Sequence, residues 1–423
     1  MSINKKYVFL FLLLFGFVST FSVSVSAQSE VEIFSWWTGG GEEEGLLALF
    51  ELFNENYPDI EIINATVAGG AGTNAKAVLK TRMVGGNPPD SFQVHGGAEL
   101  IDTYVETGMM QPITNLLEEW GIKDKFNPQI LDMCSYEGEI YSIPINVHRG
   151  NVVFYNKYLL YKYGIDEPLN IYDLIDDCRK LDEMGIKALS LGDKNKWTAT
   201  HLFESILLET MGGHNYNGLW DYSVSFNHPG FKEGLELFKE LMNYVNKDHA
   251  ALTWQDATRR IYEGEAVYNV MGDWAEGYLK TLGWEPNIDF GWTFIGSDLS
   301  FMVITDTFGL PRNAPHPEGA KAWLRTIASV KGQDTFNPIK GSIPTRVDSD
   351  YIMYGEYLLR SLIDFNNNKT ILSPSIAHGS AAPEGFVTAL NDILNTLITT
   401  GDVKYAHFRI KEAVMEYLDV MIY

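Results

Sequence analysis

Strand and helix signals alternate from the first patterned stretch of this chain, and that alternation limits its fold more than any other feature. Val31 to Trp37 is an apolar run of buried-strand length, and Gly45 to Tyr57 sets Leu46, Leu49, Phe50, Phe53 and Tyr57 at helical spacing until Pro58 stops it. Glu61 to Val67 follows as a second strand, Asn74 to Val84 as a second helix, and Ser91 to Val94 as a third strand after the Pro88-Pro89 break. Strands linked through helices pair side by side in one direction, so the order predicts an α/β fold with a mostly parallel sheet covered by helices. The pattern resumes after Ile143, with helical segments near 171–184, 231–246 and 254–263.

The N-terminus carries Lys5 and Lys6, an apolar run from Tyr7 to Val18, and Val25-Ser26-Ala27 before Gln28. These are the three parts of a cleaved secretory signal over residues 1–27, and the apolar run is too short to anchor the chain. No cysteine near the cleavage site offers a lipid attachment point, so a free periplasmic protein is expected. Removing residues 1–27 from the 423 leaves 396, more than one hydrophobic core usually serves, so two lobes are expected. No low-complexity linker separates them, which implies that the chain crosses between lobes more than once. The formal charge of -23 becomes -25 when Lys5 and Lys6 leave, which argues against nucleic acid and anionic lipid as partners. Cys134 and Cys178 are the only cysteines; export permits a disulfide, but two buried thiols is the simpler reading.

Two glycine clusters look like nucleotide loops and fail on chemistry. Gly39-Gly40-Gly41 runs into Glu42-Glu43-Glu44, which suit a helix N-terminus but repel phosphate. Gly70-Ala71-Gly72-Thr73-Asn74-Ala75 matches a dinucleotide fingerprint, with Asp90 twenty positions after Gly70. That acid stands before its strand, whereas the ribose-binding acid belongs at a strand's C-terminal end. A tight turn opening a helix is the expectation. No Gly-x-Ser-x-Gly elbow and no His-Glu-x-x-His occurs, and the nine histidines show no metal-ligand spacing. No cofactor and no metal is expected. A pair of carboxylates such as Glu42 and Asp306 keeps a secreted glycoside hydrolase as the alternative.

What remains is polar and aromatic residues at strand ends. Trp36 and Trp37 close the first strand, and Gln93 and His95 share one face at the end of the third. Ligands of open α/β sheets bind beyond the carboxyl ends of strands. A pyranose presents apolar C–H faces and a rim of hydroxyls, which indoles and planar polar groups match. Aromatic residues make up 13% of the chain, 10 Trp and 22 Tyr among them, ample material for such faces.

The run Val31-Glu32-Ile33-Phe34-Ser35-Trp36-Trp37-Thr38-Gly39-Gly40-Gly41-Glu42 resembles the start of the ABC-transporter periplasmic sugar-binding proteins, the extracellular solute-binding proteins, of the glucose/mannose-binding type. The likeness continues through Phe92-Gln93-Val94-His95, Thr253-Trp254-Gln255, Asn269 to Trp274, Asp306 to Leu310, Gln333 to Ser342 and Ala377-His378-Gly379. It implies the larger, type II-like two-lobed periplasmic-binding-protein fold with three hinge crossings, near Ile143–Asn151, Met302–Phe308 and Lys340–Arg346. The lobes would be 28–145 with 306–342, and 146–305 with 343–423. It implies that Glu42, Gln93, His95, Asp306, Lys340 and His378 hydrogen-bond sugar hydroxyls, with Glu43 or Glu44 as alternatives to Glu42. Trp36 or Trp37, with Trp254 and Trp274, would supply stacking faces. The expected ligand is a small carbohydrate, an aldohexose such as glucose, galactose or mannose, captured by hinge closure without chemistry. The expected partner is an ABC permease in the inner membrane with a separate ATPase, served by a monomer.

Overall fold

The computed structural model describes residues 29–297 and 299–418, which form a two-lobed α/β protein. The signal segment read over 1–27 lies outside the described residues. The larger sheet has the strand order Ile60–Asn64, Ser29–Phe34, Ser91–His95, Asp306–Gly309, Ser142–Pro144. Its first three strands are parallel and connect through the helices Gly41–Asn56 and Thr73–Val84, as the alternation predicts. Asp306–Gly309 runs antiparallel to both its neighbours, which corrects the expectation of a mostly parallel sheet. Its route explains this: it follows Ser300–Ile304 of another sheet directly, and without an intervening crossover helix nothing turns it to run parallel.

The other lobe holds two three-stranded sheets. Phe290–Phe294, Val152–Asn156 and Tyr268–Met271 pair antiparallel throughout. Ser300–Ile304 lies parallel to Ile371–Pro374 and antiparallel to His148–Arg149. Helices cover them: Ile171–Glu183 is capped by Asn170, and Pro229–Met242 opens on proline. Trp254–Glu263 begins with a reciprocal Thr253/Asp256 capping box.

Two hydrophobic cores result. One draws on Val31, Leu49, Phe53, Phe92, Ile143, Phe308, Trp323 and Phe336, the other on Phe154, Phe203, Phe238, Tyr268, Phe301, Tyr357 and Leu394. Cys134 lies in the first and Cys178 in the second, both as free buried thiols, and burial pushes Cys134 up to about 12. The helix Gly41–Asn56 packs so closely on Val330–Lys340 that a Cβ at Gly41 would meet the Ile339 carbonyl oxygen at 2.5 Å. That contact of small residue and backbone brings the two helix ends together at the site.

Two local boundaries differ from expectation. The first strand ends at Phe34, leaving Trp36 and Trp37 in a loop, and the helix starts at Gly41, so Glu42, Glu43 and Glu44 form its first turn. Acids there complement the helix dipole, and Gly40 at φ 59° makes the turn that precedes them. The Gly70–Gly72 cluster is a tight turn that opens Thr73–Val84, with Gly72 at φ 74°. Asp90 is buried and accepts from the Glu32 and His316 backbone N–H groups, a structural use that leaves no cofactor role.

Candidate functional site

The segments that meet between the lobes are mostly ends of elements. Glu42 is in the first turn of its helix, and Lys340 is the last residue of Val330–Lys340. Trp197, Trp254 and Trp274 are each the first residue of a helix. Antiparallel register sets Asp306 directly opposite His95. His378 lies in the loop after Ile371–Pro374. Together with Trp36 and Trp37 they enclose a cavity of about 20 Å³, completed by Ala71, His148, Trp197 and Ile304.

Nine of the ten residues proposed from sequence line this cavity: Trp36, Trp37, Glu42, His95, Trp254, Trp274, Asp306, Lys340 and His378. Gln93 does not, which corrects its expected contact with ligand. Its Oε1 accepts from Ser35 Oγ at 2.7 Å and the Trp36 N–H at 3.1 Å, while its Nε2 donates to Asp306 Oδ1 at 2.7 Å. Gln93 therefore positions Asp306 and the Trp36 loop from behind. Among the three consecutive acids only Glu42 reaches the cavity; Glu43 and Glu44 are exposed. Of the four lining residues that sequence reasoning missed, His148 and Trp197 are the polar and aromatic ones. His148 follows a stretch with no motif, and Trp197 opens a helix far from any strand end, so neither carried a local signal.

The charged groups are paired across the site. Lys340 Nζ donates to Glu42 Oε1 at 2.9 Å and sits 5.7 Å from the centre of the Trp274 ring. Asp306 Oδ2 accepts from Asn146 Nδ2 at 2.8 Å and lies 3.3 Å from His148 Nε2. Burial would raise the Asp306 carboxyl, but the His148 hydrogen bond and neighbouring His95 and Lys340 hold it well below the usual carboxylate range. His148 also bonds Asp273 through Nδ1; against burial and Lys340, the two acids raise this imidazole above its ordinary value. His95 bonds Glu99 Oε2 at 2.8 Å, and Lys76 pairs with the same oxygen at 2.7 Å. Despite burial, Lys76 and His95 lower the Glu99 carboxyl.

His378 is different. Burial, then His95, His201, Lys76 and His148, push its imidazole well below the usual value, so the ring is neutral. Ser375 Oγ donates to Glu204 Oε1 at 2.7 Å and stands 2.9 Å from His378 Nδ1. The serine has one proton and spends it on Glu204, so His378 Nδ1–H donates to the serine and Nε2 is left as an acceptor. That acceptor suits a hydroxyl donor.

The aromatic rings form a continuous wall. Trp36 lies 5.0 Å from His95, and His378 lies 5.2 Å from both Trp197 and Trp274, all centre to centre. Trp254 contacts Trp274 and Tyr278. Trp37 is mainly a core residue, at 4.6 Å from Phe336 and 5.6 Å from Phe308. Trp36 and Trp37 both border the cavity because they lie in a loop, where strand alternation does not separate them.

Two chemical alternatives can be tested on this geometry. A glycosidase acid must hold its proton near neutrality, which requires a raised pKa; Asp306 is lowered and Glu42 is ion-paired. The fold also brings His201, Glu204 and His378 together, their ligand atoms within 4.8 Å, a juxtaposition that spacing in sequence hid. Both Glu204 oxygens are already engaged: Oε1 accepts from Ser375, and Oε2 accepts from the Ile376 and Ala377 N–H groups. The acid anchors the loop that carries His378.

Among the described residues no helix is long and apolar enough to cross a membrane. Residues 38–334 match the family model described as bacterial extracellular solute-binding protein. An uncharacterised ABC transporter extracellular-binding protein of Pyrococcus horikoshii is 44% identical, covering 92% of this chain and 88% of its own. A probable sugar-binding periplasmic protein of Mesorhizobium japonicum is 32% identical over 94% of each chain. A solved bacterial solute receptor described as preferring β-D-galactopyranose superposes with a TM-score of 0.78 at 18% identity, covering 91% of this chain and 97% of that one, a likeness of fold.

Proposed function

Since this chain belongs to the bacterial extracellular solute-binding protein family, we propose that it captures a small neutral sugar for import and does not alter it. The observation that carries the reading is a single cavity in which the ion pair Glu42–Lys340, the anchored Asp306 and the neutral His378 alternate with tryptophan faces. Carboxylates accept from hydroxyls, lysine donates to them, and indoles cover the C–H faces of a ring. That number of polar partners suits one aldohexose ring of the glucose, galactose or mannose kind, because each buried hydroxyl left unpaired costs about 1–3 kcal/mol.

The cavity, at about 20 Å³, is far below the roughly 300–1,000 Å³ of small-molecule pockets. Sugar therefore enters only when the walls part, and closure follows because the ligand touches both lobes. We assign the hinges to the passages Ile143–Asn151, Met302–Phe308 and Lys340–Arg346, the first and third of which are bridged backbone to backbone at Val147 and Ile343. The closed monomer would then dock on a membrane permease driven by a separate ATPase, on the outer side of the cytoplasmic membrane. A thermal-shift and calorimetric panel of hexoses on the purified protein tests the reading. A raised midpoint and unchanged sugar after long incubation are expected; hydrolysis of a glucoside, or no response to any sugar, would overturn it.

A further inference from the structure

A neutral imidazole offers a donor at one ring nitrogen and an acceptor at the other, so its neighbours decide which of the two a ligand meets. For His378 the deciding neighbours lie outside the cavity. Glu204 is on the helix Trp197–Gly218 and Ser375 directly follows the strand Ile371–Pro374; both are fully buried and neither lines the cavity. The Ser375 hydroxyl has one proton and two lone pairs, and all three are committed. Its proton goes to Glu204 Oε1 at 2.7 Å, and its lone pairs face the His378 backbone N–H at 3.3 Å and the ring Nδ1 at 2.9 Å. Glu204 is itself fixed in place. Its Oε2 accepts from the Ile376 and Ala377 N–H groups, which can only donate, so Oε1 stays turned to the serine. Among the described residues no other group bonds the His378 ring.

The chain of bonds from Glu204 through Ser375 to His378 therefore runs in one direction and ends at Nε2, the ring nitrogen left for the cavity that His378 lines. A sugar hydroxyl has to donate there. A ring position that carries hydrogen or fluorine in place of that hydroxyl leaves a buried nitrogen unpaired, and a site built around such a bond rejects the analogue strongly. We propose that Glu204 and Ser375 are positioning residues that determine specificity: they set the tautomer of His378 and so make the protein select a sugar by a hydroxyl that donates at that point. Neither touches the ligand. The proposal rests on the sugar-binding reading above and adds the residues that orient its selectivity.

The Glu204→Gln variant reverses the chain. Its amide oxygen must face the Ile376 and Ala377 N–H groups, so its NH₂ donates to Ser375, the serine proton turns to His378 Nδ1, and Nε2 becomes the donor. Nitrogen-15 NMR of the imidazoles, with His378 assigned by its absence from His378→Gln, should find the proton on Nδ1 in the wild type and on Nε2 in Glu204→Gln. Calorimetry with glucose, galactose and mannose and the monodeoxyfluoro series of each gives the second readout. At one ring position fluorine should weaken binding to the wild type tenfold or more, and in Glu204→Gln that gap should shrink to threefold or less, because Nε2–H no longer needs a donor. Ser375→Thr, which keeps the hydroxyl, should retain the wild-type tautomer and the wild-type gap. The measurements on the wild type decide even where a variant fails to fold: a proton on Nε2, or fluorine tolerated within threefold at every position of a hexose that binds, would overturn the proposal and leave the sugar reading intact. A folded Glu204→Gln with the wild-type tautomer would also overturn it. Failure of every sugar would overturn both.

Discussion

Lys340 shows how much one side chain can carry here. It is buried, ends its helix, and serves Glu42 on one side and the Trp274 face on the other. Lys340→Met keeps the apolar stem and removes the charge, and charge-assisted hydrogen bonds contribute about 1.5–3 kcal/mol. Hexose affinity measured by calorimetry should fall roughly 10- to 100-fold; an unchanged affinity would remove Lys340 from the ligand set. Glu276 makes a second residue-scale case. Its Oε2 is buried without a partner, and burial, only partly offset by Lys280, raises the carboxyl to about 7. The fold then holds a proton that the unfolded chain releases near pH 4.3, so this contribution to stability is full below about 4.3 and is lost as pH rises through about 7. Glu276→Gln should flatten the fall in melting temperature between about pH 4.5 and 7.5; an identical slope would mean that Glu276 is ionised in the fold.

At the scale of elements, small residues set how closely segments of the two lobes approach. A Cβ on Gly70 would stand 3.0 Å from Trp197 Nε1 and 3.1 Å from Trp254 Cδ1, tighter than ordinary contact. The turn that resembles a nucleotide loop is therefore a spacer cut to fit two tryptophans. Its φ is not in the left-handed region, so alanine costs no backbone strain there. Gly70→Ala should leave folding largely intact yet push the turn off the tryptophans, weakening sugar binding about 3- to 10-fold, roughly the 1 kcal/mol that marks mild overpacking. Calorimetry beside a thermal melt separates the outcomes; a melt lowered with affinity preserved would place the contact in stability alone.

Over the whole molecule, two cores with no residue in common, and the sugar proposed to bridge them, make closure the expected response. Small-angle scattering should show a smaller radius of gyration on adding saturating hexose, and Gly70→Ala should blunt that change. An identical radius with and without a sugar that binds would argue for a rigid cavity. The chain's acidity, -23 over all residues, argues against nucleic acid as a partner and would take no part in choosing the neutral ligand proposed.

Local pattern by itself determined the early strands and helices, the α/β class and the rejection of both glycine clusters as nucleotide loops, since periodicity, caps and the position of Asp90 are short-range signals. Likeness to a family added most of the cavity wall, including Trp254, Lys340 and His378, which no periodicity marks. Only the tertiary structure decided the rest. Asp306 meets His95 because a strand returns antiparallel from the other lobe across 211 positions, and no spacing records that return. Gln93 sits behind Asp306, not beside the cavity, because its amide is spent on Ser35, Trp36 and Asp306. His148, Trp197 and the pairing of Ser375 with His378 follow from which element ends converge, and convergence is a property of packing that one stretch of sequence does not contain.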